Sequence, residues 1–200
     1  MYHNLFLKKM TVSQMGIPLF HPVSLTLTPG EACEVLGPNG VGKTSLLELL
    51  IRTQTNKVDG SFVPDSVFYL STKKPFDSHE TVEVNLSFWK NLWGTSTDCF
   101  QESLETWRLK PLLKLPYAHL SQGQKQRVNL VRLSFKKSSL WLLDEPTSNL
   151  DQENCLLFKK ILDQHLREGG MALIATHDSF GISKNIVLEK QLFQKEKSAA

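Results

Sequence analysis

An α/β fold on a mostly parallel sheet is what the sequence predicts, from two observations. Short apolar runs of four or five residues recur along the chain. Segments with apolar residues at helical spacing separate them, the alternation that builds covered parallel sheets. In chain order, "VSLTLT" (23–28) alternates apolar and polar residues like a half-buried strand, and Pro29-Gly30 turns it. This part is expected to be a small antiparallel N-terminal sheet. "EACEVL" (31–36) is a strand running into glycines, followed by "SLLELLIR" as a helix. "SVFYL" (66–70), "LWLL" (140–143), "MALIA" (171–175) and "NIVL" (185–188) are further strands. After Asp151, the stripe Leu157, Phe158, Ile161, Leu162, His165 and Leu166 marks a helix that Gly169-Gly170 stops.

The middle of the chain departs from this alternation. Val82, Leu86, Trp89 and Trp93 fall at helical spacings with Phe88 and Leu92 alongside, and Trp107 lies in a second helix-like segment. A compact helical insert over about 75–135 is expected, inside one domain, 1–200, whose core is 1–74 and 136–200. The aromatic stripe reads as core packed between helices and sheet; a docking surface for a partner is the alternative. There are no internal repeats, and only the tail "QKEKSAA" has a biased, polar composition.

Two hundred residues, 40% hydrophobic and 22% charged, suffice for one buried core without disulfides or metals. A net charge of +3 from scattered Lys and Arg gives no support to nucleic-acid binding, which is not expected. Cys33, Cys99 and Cys155 are odd in number and far apart, so reduced thiols are expected rather than a disulfide framework or a zinc site. "MYHNLFLKKMTV" has its lysines after a very short apolar run, the wrong order for a secretion signal. No apolar run approaches the roughly eighteen residues of a membrane-spanning helix, so action at a membrane requires a partner.

"GPNGVGKT" (37–44) matches G-x-x-x-x-G-K-[ST] in full and lies between a strand and a helix. Gly37, Gly40 and Gly42 let the backbone turn its N–H groups inward, and Pro38, Asn39, Val41 and Ser45 complete the expected phosphate cradle. Lys43 is expected to reach the β- and γ-phosphates of ATP, and the Thr44 hydroxyl to ligate Mg²⁺. Asp144, ending an apolar strand, is expected to hold Mg²⁺ through water. Glu145 beside it is placed to deprotonate an attacking water. His177, in "ATHD", is expected at the same sheet edge, touching the γ-phosphate and the water.

Taken in order, "GPNGVGKT", "LSQGQ" (120–124), "LLDEP", "SNLD" (148–151) and "ATHD" resemble the nucleotide-binding subunits of ATP-binding cassette (ABC) transporters, over most of the chain. The resemblance implies a P-loop NTPase core, ATP and Mg²⁺, and ATP hydrolysis. It also implies a head-to-tail pair of copies in which Ser121, Gly123 and Gln124 of one close over the ATP of the other, with Asp151 at the seam. Multi-span permease subunits are the implied partners, and the cytoplasmic face of the inner membrane the implied location of a peripheral subunit. Within the family, "HLSQGQKQRVNLVRLSFKKSSLWLLDEP" and "HLREGGMALIATHDSF" resemble the haem-exporter ATP-binding subunits of cytochrome c maturation. No haem site is implied in this chain, and His119 and His165 read as surface or structural residues.

Two departures stand out. "STKKPF" (71–76) has Lys73 or Lys74 where the family carries a glutamine, and a lysine donates but cannot accept a hydrogen bond. Neither Gln14 nor Met15, near which an adenine-stacking aromatic is expected, is aromatic; either selectivity for adenine is loose or Phe20 substitutes. The other readings are the ATPase of a different small-substrate transporter, a soluble cassette ATPase without transport, and a nucleotide-gated module that barely hydrolyses. The single short cassette and the presence of Glu145 and His177 weigh against the last two.

Overall fold

The computed structural model describes residues 4–53, 61–71, 73, 75–177, 179 and 181–190. Lys74 and the tail "QKEKSAA" lie outside them. The N-terminal part contains β1 (Leu5–Met10), the small hairpin of β2 (Ser13–Gln14) and β3 (Ile17–Pro18), and β4 (Val23–Leu27). β1 pairs antiparallel with β4, Leu5 opposite Leu27 and Leu7 opposite Leu25, all four buried. β5 (Ala32–Leu36) leads through the glycine-rich loop into α1 (Lys43–Thr53), and β6 (Val67–Leu70) follows.

The insert consists of α2 (Val82–Trp93), α3 (Thr97–Thr106), single turns at Lys110–Leu112 and Tyr117–His119, then α4 (Gln122–Leu130) and a last turn at Val131–Ser134. Capping sets its helix limits: the Thr81 side chain accepts from the Val84 N–H, and Gly94 closes α2 at φ 63°. The chain ends with β7 (Leu140–Asp144), α5 (Gln152–Arg167), β8 (Met171–Ala175) and β9 (Asn185–Val187). Five strands form one parallel sheet in the order β6-β7-β8-β5-β9.

Alternation along the central strands assigns the two faces. Leu140, Leu142, Met171, Leu173, Cys33 and Val35 face α1 and the N-terminal sheet. Trp141, Leu143, Ala172 and Ile174 face α4, α5 and the insert. Both faces are covered, which is why these strands read as continuous apolar runs. The aromatic stripe of α2 divides. Trp89 and Trp93 pack against the core, whereas Val84, Phe88 and Leu92, four residues apart on one face, are exposed by 50%, 59% and 59%.

Arg132 joins the insert to the sheet. It is 4% exposed, and its guanidinium carbon lies 4.3 Å from the Trp89 ring centre and 5.5 to 5.6 Å from those of Phe76, Phe68 and Trp93. Burial lowers its pKa to about 10, leaving it charged at neutral pH. Its Nη1 donates to Asn129 Oδ1 at 2.8 Å, and Asn129 Nδ2 donates to the Ser71 carbonyl at 3.3 Å.

His165 is structural, as its place in the α5 stripe suggests. Its ring stacks on Trp141 with centroids 3.7 Å apart, and Nε2 lies 3.1 Å from the Met171 carbonyl, which makes Nε2 the protonated nitrogen of the neutral ring. Gly170 is required here because a Cβ would overlap the imidazole. Burial pushes the His165 pKa below its ordinary 6.5, outweighing the Met171 carbonyl, which raises it. Between the lowered native value and 6.5, the unfolded chain binds a proton that the native chain does not. Stability therefore falls as pH drops below 6.5. In urea unfolding at pH 7.5 and 5.5, His165→Phe is expected to lose less stability on acidification than the unsubstituted chain.

Candidate functional site

The site grows from the C-terminal ends of the parallel strands. Gly37 follows β5 at φ 148°, and a Cβ there would come 2.8 Å from the Leu188 carbonyl. Gly42 ends the loop at φ 112° directly over Phe20, where a Cβ would meet the ring at 2.9 Å. Only glycine permits both the turn and the close packing. Pro38, Asn39 and Gly40 are exposed at the rim, Val41 is a core residue, and Ser45 is half-buried in the first turn of α1.

Lys43 is 7% exposed, and its Nζ donates to the Gly37 carbonyl at 2.7 Å and the Pro38 carbonyl at 3.4 Å, with Glu145 Oε1 4.0 Å away. A buried ammonium beside the first N–H groups of α1 fits a polyphosphate. Thr44 Oγ1 donates to Asp144, 3.1 Å from Oδ1 and 2.9 Å from Oδ2. The sequence places these two groups on one magnesium; the structure puts them in direct contact. A hydroxyl and a 2% exposed carboxylate are hard oxygen donors suited to Mg²⁺ that takes its other ligands from water and phosphate. Among the described residues no three His, Cys, Asp or Glu cluster as a metal cage.

Glu145 follows β7 at φ 49°, in the left-handed region. Its N–H donates to the Ala175 carbonyl at 2.9 Å, and His177 Nδ1 lies 3.0 Å from Glu145 Oε2. Lys43, Thr44, Asp144, Glu145 and His177 thus share one corner, built from the ends of β5, β7 and β8.

The remaining candidates lie away from it. Ser121 caps α4: its side chain accepts from the Gln124 N–H at 3.2 Å, and Gln124 Oε1 accepts from the Ser121 N–H at 2.9 Å. This capping box engages the carboxamide of Gln124 inside its own chain, leaving the amides of Gln122 and Gly123 at the helix start. Gly123 has a packing role too, since a Cβ would lie 2.8 Å from the Asn149 carbonyl. Asp151 caps α5, accepting from the Asn154 N–H and Nδ2, both at 2.8 Å, and the backbone bond chiefly holds its carboxyl below the usual range.

Phe20 does not serve as a platform for adenine. It is wholly buried under Gly42, and burial beneath the loop leaves no face for a base. Gln14 and Met15 sit on the β2–β3 hairpin, Met15 96% exposed at its tip. Lys73 is exposed, its N–H donating to Ser71 Oγ at 3.0 Å. Two residues escaped the sequence reading. Gln126 is 3% exposed and donates to backbone carbonyls of the 145–146 turn. Glu34, wholly buried in β5, accepts from Ser179 Oγ at 2.7 Å just beyond His177. A polar residue inside an apolar strand was the available signal for Glu34; Gln126 gave none.

Gly123→Ala is expected to force the 145–149 turn away from α4. It should lower the unfolding free energy by about 1–3 kcal/mol, as overpacking does, and slow nucleotide turnover; calorimetry beside an ATPase assay checks both.

Comparison with known proteins agrees with this geometry. The ABC transporter family profile matches residues 20–148. The cytochrome c biogenesis ATP-binding export proteins CcmA of Cereibacter sphaeroides and Paracoccus denitrificans are 37% and 36% identical to this chain. Each match covers 92% of this chain, and 87% and 88% of the respective relative. An ABC transporter ATP-binding protein from Pyrococcus furiosus superposes with a TM-score of 0.77 at 24% identity, covering 93% of this chain and 98% of its own. The ATP-binding subunit of another ABC transporter gives 0.79 at 19%, over 93% and 86%. The chain belongs to the ABC transporter family and is an ATP-binding, ATP-hydrolysing member of it.

Proposed function

We propose that the chain is the ATPase subunit of a membrane ABC complex that serves cytochrome c biogenesis as a haem exporter. The observation that carries this reading is its similarity to the CcmA export proteins, 37% over 92% of the chain. ATP binds at residues 37–45, with Lys43 exchanging the carbonyls of its own loop for β- and γ-phosphate oxygens. Thr44 and Asp144 would hold Mg²⁺, which would supply charge neutralisation at the phosphates. Glu145 takes the proton of a water whose oxygen bonds to the γ-phosphorus as the bond to the bridging oxygen of ADP breaks. His177, already 3.0 Å from Glu145 Oε2, orients that carboxylate and reaches the γ-phosphate.

Two copies work head to tail. The Ser121 hydroxyl and the Gln122 and Gly123 amides at the start of α4 face the γ-phosphate held by the other copy, and the helix dipole favours its charge. Gln124 shapes that grip through the capping box, and Asp151 sits at the seam. ATP joins the pair and hydrolysis releases it, a two-state cycle that drives a multi-span permease and the transfer of its cargo. No helix among the described residues is long and apolar enough to cross a membrane. The permease holds the subunit at the cytoplasmic face of the inner membrane.

Glu145→Gln is expected to slow turnover by about 10²–10⁴-fold while retaining ATP. That variant, crosslinked with ATP in native membranes, should bring down multi-span cytochrome c maturation proteins on mass spectrometry. Recovery of a different permease would replace the cargo, and recovery of soluble proteins alone would refute transport. Mixing Ser121→Arg with Lys43→Ala chains should restore one composite site; activity no greater than that of the single variants would count against the head-to-tail pair.

A further inference from the structure

We infer that Gln126 is a positioning residue for hydrolysis, holding the backbone of Glu145 in the conformation that aims its carboxylate at the reacting water. The inference rests on the reading of Glu145 as the base. Glu145 adopts φ 49°, a left-handed conformation that a glutamate keeps only when its surroundings hold it there. Hydrogen bonds grip it from both sides. Its N–H donates to the Ala175 carbonyl at 2.9 Å, which fixes the turn to the end of β8 and hence to the strand that delivers His177. On the other side, Gln126 Nε2 donates to the Pro146 carbonyl at 2.7 Å and reaches the Glu145 carbonyl at 3.4 Å.

Gln126 is suited to this task because it is buried at 3% exposure on α4, where its carboxamide must find partners inside the protein. Gly123, three residues earlier on the same face of α4, lets the helix approach the Asn149 carbonyl closely. Positions 123 and 126 together press α4 onto the turn of residues 145–149. Without the Gln126 donor, the Pro146 carbonyl loses its 2.7 Å bond and the Glu145 carbonyl keeps only the Ser148 N–H at 3.2 Å, so the turn is tied to itself and no longer to α4. The carboxylate then drifts from His177, now 3.0 Å away. The same helix begins at Ser121, so the element offered to a neighbouring copy is bonded to the base of its own copy.

The test is a double-mutant cycle on the purified full chain, read by single-turnover ATP hydrolysis, KM for ATP and thermal midpoint. Gln126→Met keeps the length and removes the donor; Gln126→Glu keeps the shape and faces the carbonyls with oxygens. Both are expected to lower the rate by about 10–100-fold with KM within about twofold, and to lower it no further in the Glu145→Gln background. Equal losses in both backgrounds would overturn the inference alone, as would a raised KM at unchanged rate. Failure of both Gln126 variants to fold would also overturn it, by assigning the residue to stability. A Glu145→Gln chain with unimpaired turnover removes the base assignment itself, and this inference with it.

Discussion

Parallel pairing of β7, β8 and β5 ends three strands at one edge of the sheet, and the groups of the nucleotide site hang from that edge. Register does the placing. Asp144 pairs with Ala175 and Val35 with the same Ala175, so the glycine loop, the two acids and His177 all begin within one or two residues of a common line. A slip of one residue in β7 would turn Asp144 away from Thr44 and send Trp141 and Leu143 into the wrong face. The apolar runs that fix the register therefore also fix the chemistry. In Lys43 and Asp144 this edge buries two opposite charges, a cost met by the carbonyls of the loop and the Thr44 hydroxyl.

The insert depends on a different interaction. One buried cation, Arg132, is enclosed by rings from β6, from α2 and from Phe76 between them. Such contacts are worth about 2 kcal/mol when desolvated, and the Asn129 link to Ser71 ties the same group to the segment leaving β6. The insert and sheet are thus joined at a point next to Lys73. Lys73, one of the two positions of the departure from the family's glutamine, has its N–H bonded to the Ser71 hydroxyl.

Much of this was legible in the sequence, for reasons of range. The glycine loop, Lys43 and Thr44 act within eight residues, and the five core strands needed only local apolarity, so both were read to within a residue or two. The burial of Phe20 under Gly42, which removes it as a stacking platform, is a tertiary fact that an isolated aromatic does not announce. The α2 stripe was read as wider than the core-facing face: a helix turns Phe88 and Leu92 away from the contact that Trp89 and Trp93 make. Gln126 was invisible because a glutamine in a polar helix reads as surface. The S-x-x-Q spacing of Ser121 and Gln124 was a signal for the capping box that the resemblance to a signature sequence overshadowed.

The His165 and Gly170 pair carries a consequence for how such a chain diverges. A ring at 165 and the lack of a Cβ at 170 are one decision, because the imidazole occupies the space a side chain at 170 would need and Trp141 blocks its retreat. The order of replacement is therefore constrained. A smaller residue must arrive at 165 before anything but glycine is tolerated at 170. Descendants of this sequence should change 165 alone, or 165 and then 170, but not 170 first.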